Sequence, residues 1–162
     1  MGKNDLSFDD FLSDVDPKYH DFVKQTHEFM LECGCTLKMA LAKNGYVVSY
    51  NYGKKKRVIM NFVFRKGVLF SRIYGDYVGQ YADILDTFPK KIIKSITKAP
   101  VCKRFEDPSK CNQKCGGYMF TMNGTQYQKC RYSCFLFAVD DESIPVIRTL
   151  YEHELKCRHE QA

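Results

Sequence analysis

The chain has 162 residues, 44% of them hydrophobic and 27% charged, with 12 Phe, 11 Tyr and no Trp. This balance excludes a disordered tail, and the length suits a single domain with a core of its own. A formal net charge of +6, from 25 basic against 19 acidic side chains, permits nucleic acid or an acidic partner and requires neither. No apolar run reaches the roughly 18 residues a membrane helix needs. The acidic start MGKNDLSFDDFLSDVD is unlike a secretory signal, so the expected location is the cytoplasm, where structural disulfides are rare.

Ser7 and Asp10 flank the start of a short helix ending near Asp14. Asp16-Pro17 reads as an N-cap followed by proline at the first helical position. The helix it opens should run to about Glu32, with Tyr19, Phe22, Val23, Thr26, Phe29 and Met30 as its buried stripe and Gly34 as its stop. Strands follow. Leu37, Met39 and Leu41 alternate, Asn44-Gly45 is a hairpin signal, and Tyr46 to Tyr52 is β-branched and aromatic. After a turn at Gly53–Lys56, Val58, Met60, Phe62 and Phe64 recur at the strand period, and Lys66-Gly67 leads into Val68 to Tyr74. Strands this closely spaced predict an antiparallel meander, because parallel pairing needs crossovers of a dozen or more residues.

Two helices come next, Tyr77 to Leu85 and Phe88 to Lys98, the second closed by Ala99-Pro100. A cysteine-rich segment then carries a hairpin, Tyr118 to Met122 and Thr125 to Lys129, around Asn123-Gly124. Cys134 to Val139 reads as a further strand. Asp140, Asp141 and Glu142 precede a last helix whose positive end they complement. The expected fold is α+β: an antiparallel β-meander sheet packed by helices, with a cysteine-rich β-hairpin subregion. Residues 1–162 are read as one domain, with a core at 17–98, the cysteine-rich part at 99–139 and a C-terminal helix at 140–157.

Of eight cysteines, five fall between Cys102 and Cys134. Cys111 and Cys115 form a C-x3-C pair, and Cys130 and Cys134 form another across the hairpin. In a reducing compartment such bunching points to a metal. Four thiolates in two closely spaced pairs suit tetrahedral zinc and exclude hard cations. Cys102 is an alternate ligand, and four cysteines also suit an iron–sulfur cluster. Nearby Lys103, Arg104, Lys110, Lys114, Lys129 and Arg131 would offset the negative charge of the site. The alternatives are buried unligated thiols or disulfides.

Other patterns are less specific. Cys33-Gly34-Cys35 suggests thiol redox chemistry, although the negative end of a helix would raise the thiol pKa. His153 and Cys157 are spaced to share a helix face. His20 and His27 lie two turns apart on one helix. Lys54, Lys55, Lys56 and Arg57, near Tyr50 and Tyr52, and a second patch of Lys90, Lys91, Lys94 and Lys98 are candidates for a nucleic-acid backbone. No P-loop, G-x-S-x-G, G-x-G-x-x-G or full H-E-x-x-H motif is present.

The stretch KMALAKNGYVVSYNYGKKKRVIMNFVFRKGVLFSRIYGD, by its strand pattern, resembles the sheet core of small bacterial proteins of the YdhG and MmcQ/YjbR-like groups. Over residues 17–98 the resemblance implies a small antiparallel sheet against helices and carries no functional residue. The functional expectation is a non-enzymatic binding module with a structural zinc site, recognising a small molecule or a protein partner. An aromatic sheet face of Tyr46, Tyr50, Tyr52, Phe62, Phe64 and Phe70 is one candidate pocket lining. Nucleic-acid binding through the lysine patches, and a thiol redox or iron–sulfur protein, are the alternatives.

Overall fold

Local signals in the chain account for most element boundaries in the computed structural model, which describes residues 6–103, 107, 109 and 117–161. Ser7 caps α1 (Phe8–Ser13), its side chain accepting from the Asp10 amide at 3.0 Å. Asp16 caps a 3-10 turn at Pro17–Tyr19 that runs into α2 (His20–Glu32). That helix closes on two hydrogen bonds, Gly34 N to Leu31 O and Cys35 N to Met30 O, both 3.0 Å, the pattern of a Schellman stop.

Strands β1 (Thr36–Ala42), β2 (Gly45–Tyr52), β3 (Arg57–Arg65) and β4 (Val68–Ile73) form the expected antiparallel meander. Lys66 and Gly67 both take positive φ in the β3–β4 turn, as a tight hairpin matching the strand twist requires. The β5–β6 hairpin, Tyr118–Met122 and Thr125–Lys129, is where the alternation places it, with Asn123 and Gly124 likewise left-handed. Strand β7 (Leu136–Ala138) returns to the main sheet antiparallel to β4, giving the order β1-β2-β3-β4-β7. Helix α5 (Ser143–Glu160) packs on β3, β4 and β7.

The C-terminal helix expected at 140–157 spans Ser143–Glu160, with Asp140 accepting from the Glu142 and Ser143 amides ahead of it; three further differences also have a local reason. The helix predicted from Phe88 begins at Lys90, as α4 (Lys90–Lys98). Phe88 precedes Pro89 and is held extended at φ −74°, ψ 155°. The helix predicted over Tyr77 to Leu85 is one α-turn, α3 (Val78–Tyr81), followed by a 3-10 segment at Ala82–Thr87. There Thr87 Oγ1 donates to Ile84 O at 2.6 Å, and Asp86 accepts from the Asn123 amide at 2.6 Å, so polar side chains compete with helix continuation. Finally, Cys134 is outside β7, because its amide turns back to Cys130 O at 2.9 Å.

One apolar cluster joins α1, α2, the inner sheet face, the hairpin and α5. Phe62 lies at its centre, stacked on Phe11 at 5.9 Å and edge-on to Phe22 at 6.1 Å. The aromatic sheet face is therefore core and not an open pocket: Tyr50, Phe62 and Phe64 are buried, and Tyr46 and Tyr52 pack against them. Phe70 lies on the opposite face, with the Arg65 guanidinium 5.8 Å above its ring. The hairpin joins the core through Tyr118 and Phe120, which meet Phe135 at 5.2 and 6.0 Å.

Candidate functional site

Five charged side chains from four segments converge beside the hairpin. Arg57 is the first residue of β3, and Asp76 lies in the loop after β4. Arg131 is in the turn between Cys130 and Cys134, and Glu154 and Arg158 are one turn apart on α5. Arg57 grips Asp76 with two hydrogen bonds of 2.9 Å, the fork geometry that makes Arg–carboxylate pairs specific. Arg131 Nη2 reaches the same carboxylate at 3.0 Å and Arg158 Nη2 at 3.4 Å.

Glu154 is fully buried and fully used. It accepts from Arg158 Nε at 2.7 Å, from the Asp76 and Tyr77 amides at 2.9 and 3.1 Å, and from the Tyr81 hydroxyl at 2.8 Å. Arg158 also donates to the carbonyls of Arg57, Val58 and Tyr74. The two side chains thus tie the start of β3 and the exit of β4 to α5, and a buried charge with its hydrogen-bond partners met is tolerated.

Burial pushes the Asp76 carboxyl pKa up, but the Arg57 hydrogen bonds and the charges of Arg131 and Arg158 outweigh it, so the group sits below its ordinary value. Burial, then the Glu154 charge, hold Tyr81 as a phenol. Tyr118, also held neutral by burial, accepts from the Gly75 amide at 2.7 Å and donates to Ile73 O at 3.3 Å.

Beside this network is a cavity of about 220 Å³, lined among others by Arg57, Asp76, Gly79, Gly117, Tyr118 and Arg131. The Arg131 side chain is 14% exposed, and its Nε is buried with no hydrogen-bond partner among the described residues. Such an atom marks a place where a partner belongs.

The cysteine segment frames one side of this cavity. Segment 100–102 runs against β6: Val101 bridges Lys129, Cys102 N donates to Gln128 O at 3.3 Å, and Cys130 N donates to Pro100 O at 2.9 Å. Gly117, at φ +68°, lies on Cys102; a Cβ there would stand 2.8 Å from the Cys102 sulfur, so only glycine fits. Lys129 is buried and donates to Thr97 O and Ala99 O at 2.7 and 2.8 Å, closing the C-terminal end of α4 with a positive charge. Burial raises the Cys134 thiol pKa, opposed by Lys129. Cys111 and Cys115 lie outside the described residues, and among the described residues no three His, Cys, Asp or Glu side chains group as metal ligands.

The remaining candidates are placed as follows. Lys54, Lys55 and Lys56 are exposed in the β2–β3 turn, while their neighbour Arg57 is bound to Asp76. Lys90, Lys94 and Lys98 are exposed on α4, and Lys91 pairs with Asp140 at 3.0 Å. His20 contacts Val15 O at 2.7 Å; His27 contacts the Tyr50 hydroxyl at 2.7 Å and stacks on Phe8. His153 stacks on Tyr81, and the residue after it, Glu154, belongs to the buried network instead of a metal motif. Burial raises the pKa of both Cys33 and Cys35, the latter to about 11.

Comparison with protein-family models, curated proteins and solved structures finds no match to this chain. Among the described residues no helix is long and apolar enough to cross a membrane. Sequence reasoning passed over Asp76, Glu154 and Arg158. Only Glu154 and Arg158 carried a readable signal, an acid four residues before a base on a helix.

Proposed function

We propose that this protein is a binding module in which a structural, thiolate-bound zinc ion staples the cysteine segment, and the stapled segment supplies one wall of a small-molecule site. The observation that carries this reading is the position of Arg131. It lies between Cys130 and Cys134 in sequence, and its guanidinium borders the cavity while contacting Asp76 of the main core. Gly117 and Tyr118, on the same wall, stand two and three residues after Cys115 in the sequence, and Gly117 rests on Cys102.

Metal binding needs thiolates, and a dication would reverse the upward shift that burial imposes on Cys134. Four thiolates leave no open coordination position, so the ion acts on folding and not on a substrate. Its contribution would be on the order of 10 kcal/mol to the order of this segment. The polar lining of the site then selects the ligand.

The test is metal content and absorption spectrum of the protein purified without chelator, for the wild type and for Cys111→Ser/Cys130→Ser, with amide NMR before and after chelation. The reading expects about one zinc ion per chain, as one tetrahedral site holds, lost in the variant. Resonances of Gly117, Tyr118 and Arg131 should move on chelation while those of β1 to β3 stay. A visible charge-transfer band would replace zinc by an iron–sulfur cluster, and absence of any metal would remove the staple.

A further inference from the structure

We infer that the cavity between Arg131, Arg57 and the start of α3 is an oxyanion site, which takes the carboxylate or phosphate group of a small molecule. This rests on the reading of the cavity as the ligand site and names the chemistry it accepts. Three guanidiniums, those of Arg57, Arg131 and Arg158, meet two carboxylates, Asp76 and Glu154, so among the described residues the cluster holds one positive charge in excess. Glu154 has no capacity left over, since four donors already reach it. Asp76 is equally committed: Oδ1 takes Arg57 and Arg131, and Oδ2 takes Arg57 and Arg158.

Among the described residues, the group of this cluster left without an acceptor is the buried Nε of Arg131, a residue that lines the cavity. A buried donor on a charged group with no acceptor is costly, on the order of 1–3 kcal/mol or more, and an anionic acceptor meets both the orphan donor and the excess charge. The cavity, about 220 Å³, is several times the ~30 Å³ share of a water in the liquid, which leaves room for more than a solvent molecule. Gly79 on its wall carries no side chain, and the space a Cβ would take there is open. Neighbouring acceptors do not compete for Nε: the Tyr118 hydroxyl is engaged by Gly75 and Ile73. The Arg131 side chain is held by Asp76 and by Tyr74, whose ring is 5.5 Å from its guanidinium; Nε itself has no accessible surface, so an anion in the cavity reaches it through a small shift of the side chain.

Two substitutions separate this site from ordinary charge effects. Gly79 lies in α3 outside the left-handed region, and a Cβ there meets nothing within 4 Å, so Gly79→Glu introduces a carboxylate at a cavity-lining position whose Cβ has open space. Arg131→Lys keeps a positive charge near Asp76 but removes the Nε donor and the fork. Inorganic phosphate and acetate are titrated separately into the metal-loaded full chain, against sodium chloride at matched ionic strength, while the Arg131 Nε–H resonance and the Gly79 and Gly117 amides are followed.

The expected result is saturable shifts at these three positions with phosphate, acetate or both, the stronger response telling which oxyanion is preferred. Gly79→Glu should abolish them, and Arg131→Lys should weaken binding about tenfold. Binding that survives Gly79→Glu would put the anion elsewhere and overturn the inference. If neither anion acts but a neutral or cationic fragment shifts the same resonances and is blocked by Gly79→Glu, the oxyanion assignment falls and the cavity reading stands. If nothing shifts them, both fall.

Discussion

Glu154 and Arg158, one turn apart on α5, form a 2.7 Å ion pair in which the Glu154 side chain is fully buried and the Arg158 side chain only 5% exposed. Each partner reaches past the other to backbone: Glu154 to the amides of residues 76 and 77, Arg158 to the carbonyls of residues 57, 58 and 74. The pair therefore sets where Arg57 and Asp76 stand, and through Asp76 where Arg131 stands. A charge cluster assembled from four segments owes its geometry to one helix turn.

Removing half of that pair strands the other half in a buried place, at a cost of about 3–5 kcal/mol. Glu154→Gln and Arg158→Met should each lower stability by that amount. The double variant Glu154→Gln/Arg158→Met should cost less than the two together, because the stranded charge is gone. Urea midpoints of the three variants measure this. Additive losses would mean that the pair is not coupled.

Acid should loosen the site through Asp76. Its folded pKa lies below the ordinary value of 3.8, held there by Arg57, Arg131 and Arg158 against burial. A depressed carboxyl contributes stability that is complete above its unfolded pKa and disappears as pH falls through the folded value. The loss therefore begins below about pH 4 and continues downward, with no contribution to pH dependence between pH 6 and 8. Asp76→Asn should be less stable than the wild type at pH 7 and should lose less on acidification. Denaturation midpoints between pH 7 and pH 2 give the comparison; parallel curves would show that Asp76 does not titrate with folding.

The sheet was legible because strands leave a local record. Alternation from Val58 to Phe64, the Lys66-Gly67 and Asn123-Gly124 turns and the Asp16-Pro17 cap are all short-range signals. The site was mostly illegible because its pairs are long-range. Arg57 closes a run of lysines and reads as part of a basic turn, yet its partner is 19 positions away in the β4–α3 loop. Arg131 reads as a charge near cysteines, and nothing in its spacing indicates Asp76. Tyr50 and Phe62 read equally well as core or pocket lining, because an apolar strand face looks the same under a helix as under a ligand; contacts with α1 and α2 decide it. Glu154 and Arg158 were the exception, a helical pair visible by spacing whose burial was not.

Two glycines near the site should respond oppositely to alanine. At Gly75 a Cβ would stand 2.5 Å from Val78 Cγ2 and 2.9 Å from the Tyr81 hydroxyl. Val78 is branched and buried, so Gly75→Ala forces the loop or α3 to shift, at about 1–3 kcal/mol. Gly79 has open space around its Cβ, and Gly79→Ala should stabilise by about 0.4–1 kcal/mol through a stiffer unfolded chain. Thermal unfolding of both variants is enough. A destabilised Gly79→Ala would contradict the open wall on which the oxyanion test depends.

Cys33 and Cys35 decide whether thiol chemistry belongs to this protein. Cys35 is 7% exposed; burial, with a smaller push from Cys33, raises its thiol to about 11. Burial and Glu32 raise half-buried Cys33 as well. The nucleophile is the thiolate, and a thiol with a pKa near 11 supplies fewer than about one thiolate per thousand molecules at pH 7.5. Iodoacetamide at pH 7.5, followed by peptide mass spectrometry, should label Cys35 in the native protein about a hundredfold more slowly than in urea. Cys33 should react at an intermediate rate, limited by its raised pKa and not by access alone. The rate at Cys35 should climb with pH up to about 11, following the thiolate. Native-state labelling of Cys35 at the unfolded rate near neutral pH would instead require a low-pKa thiol, and would restore the redox alternative that its burial beside Met30, 4.0 Å away, argues against.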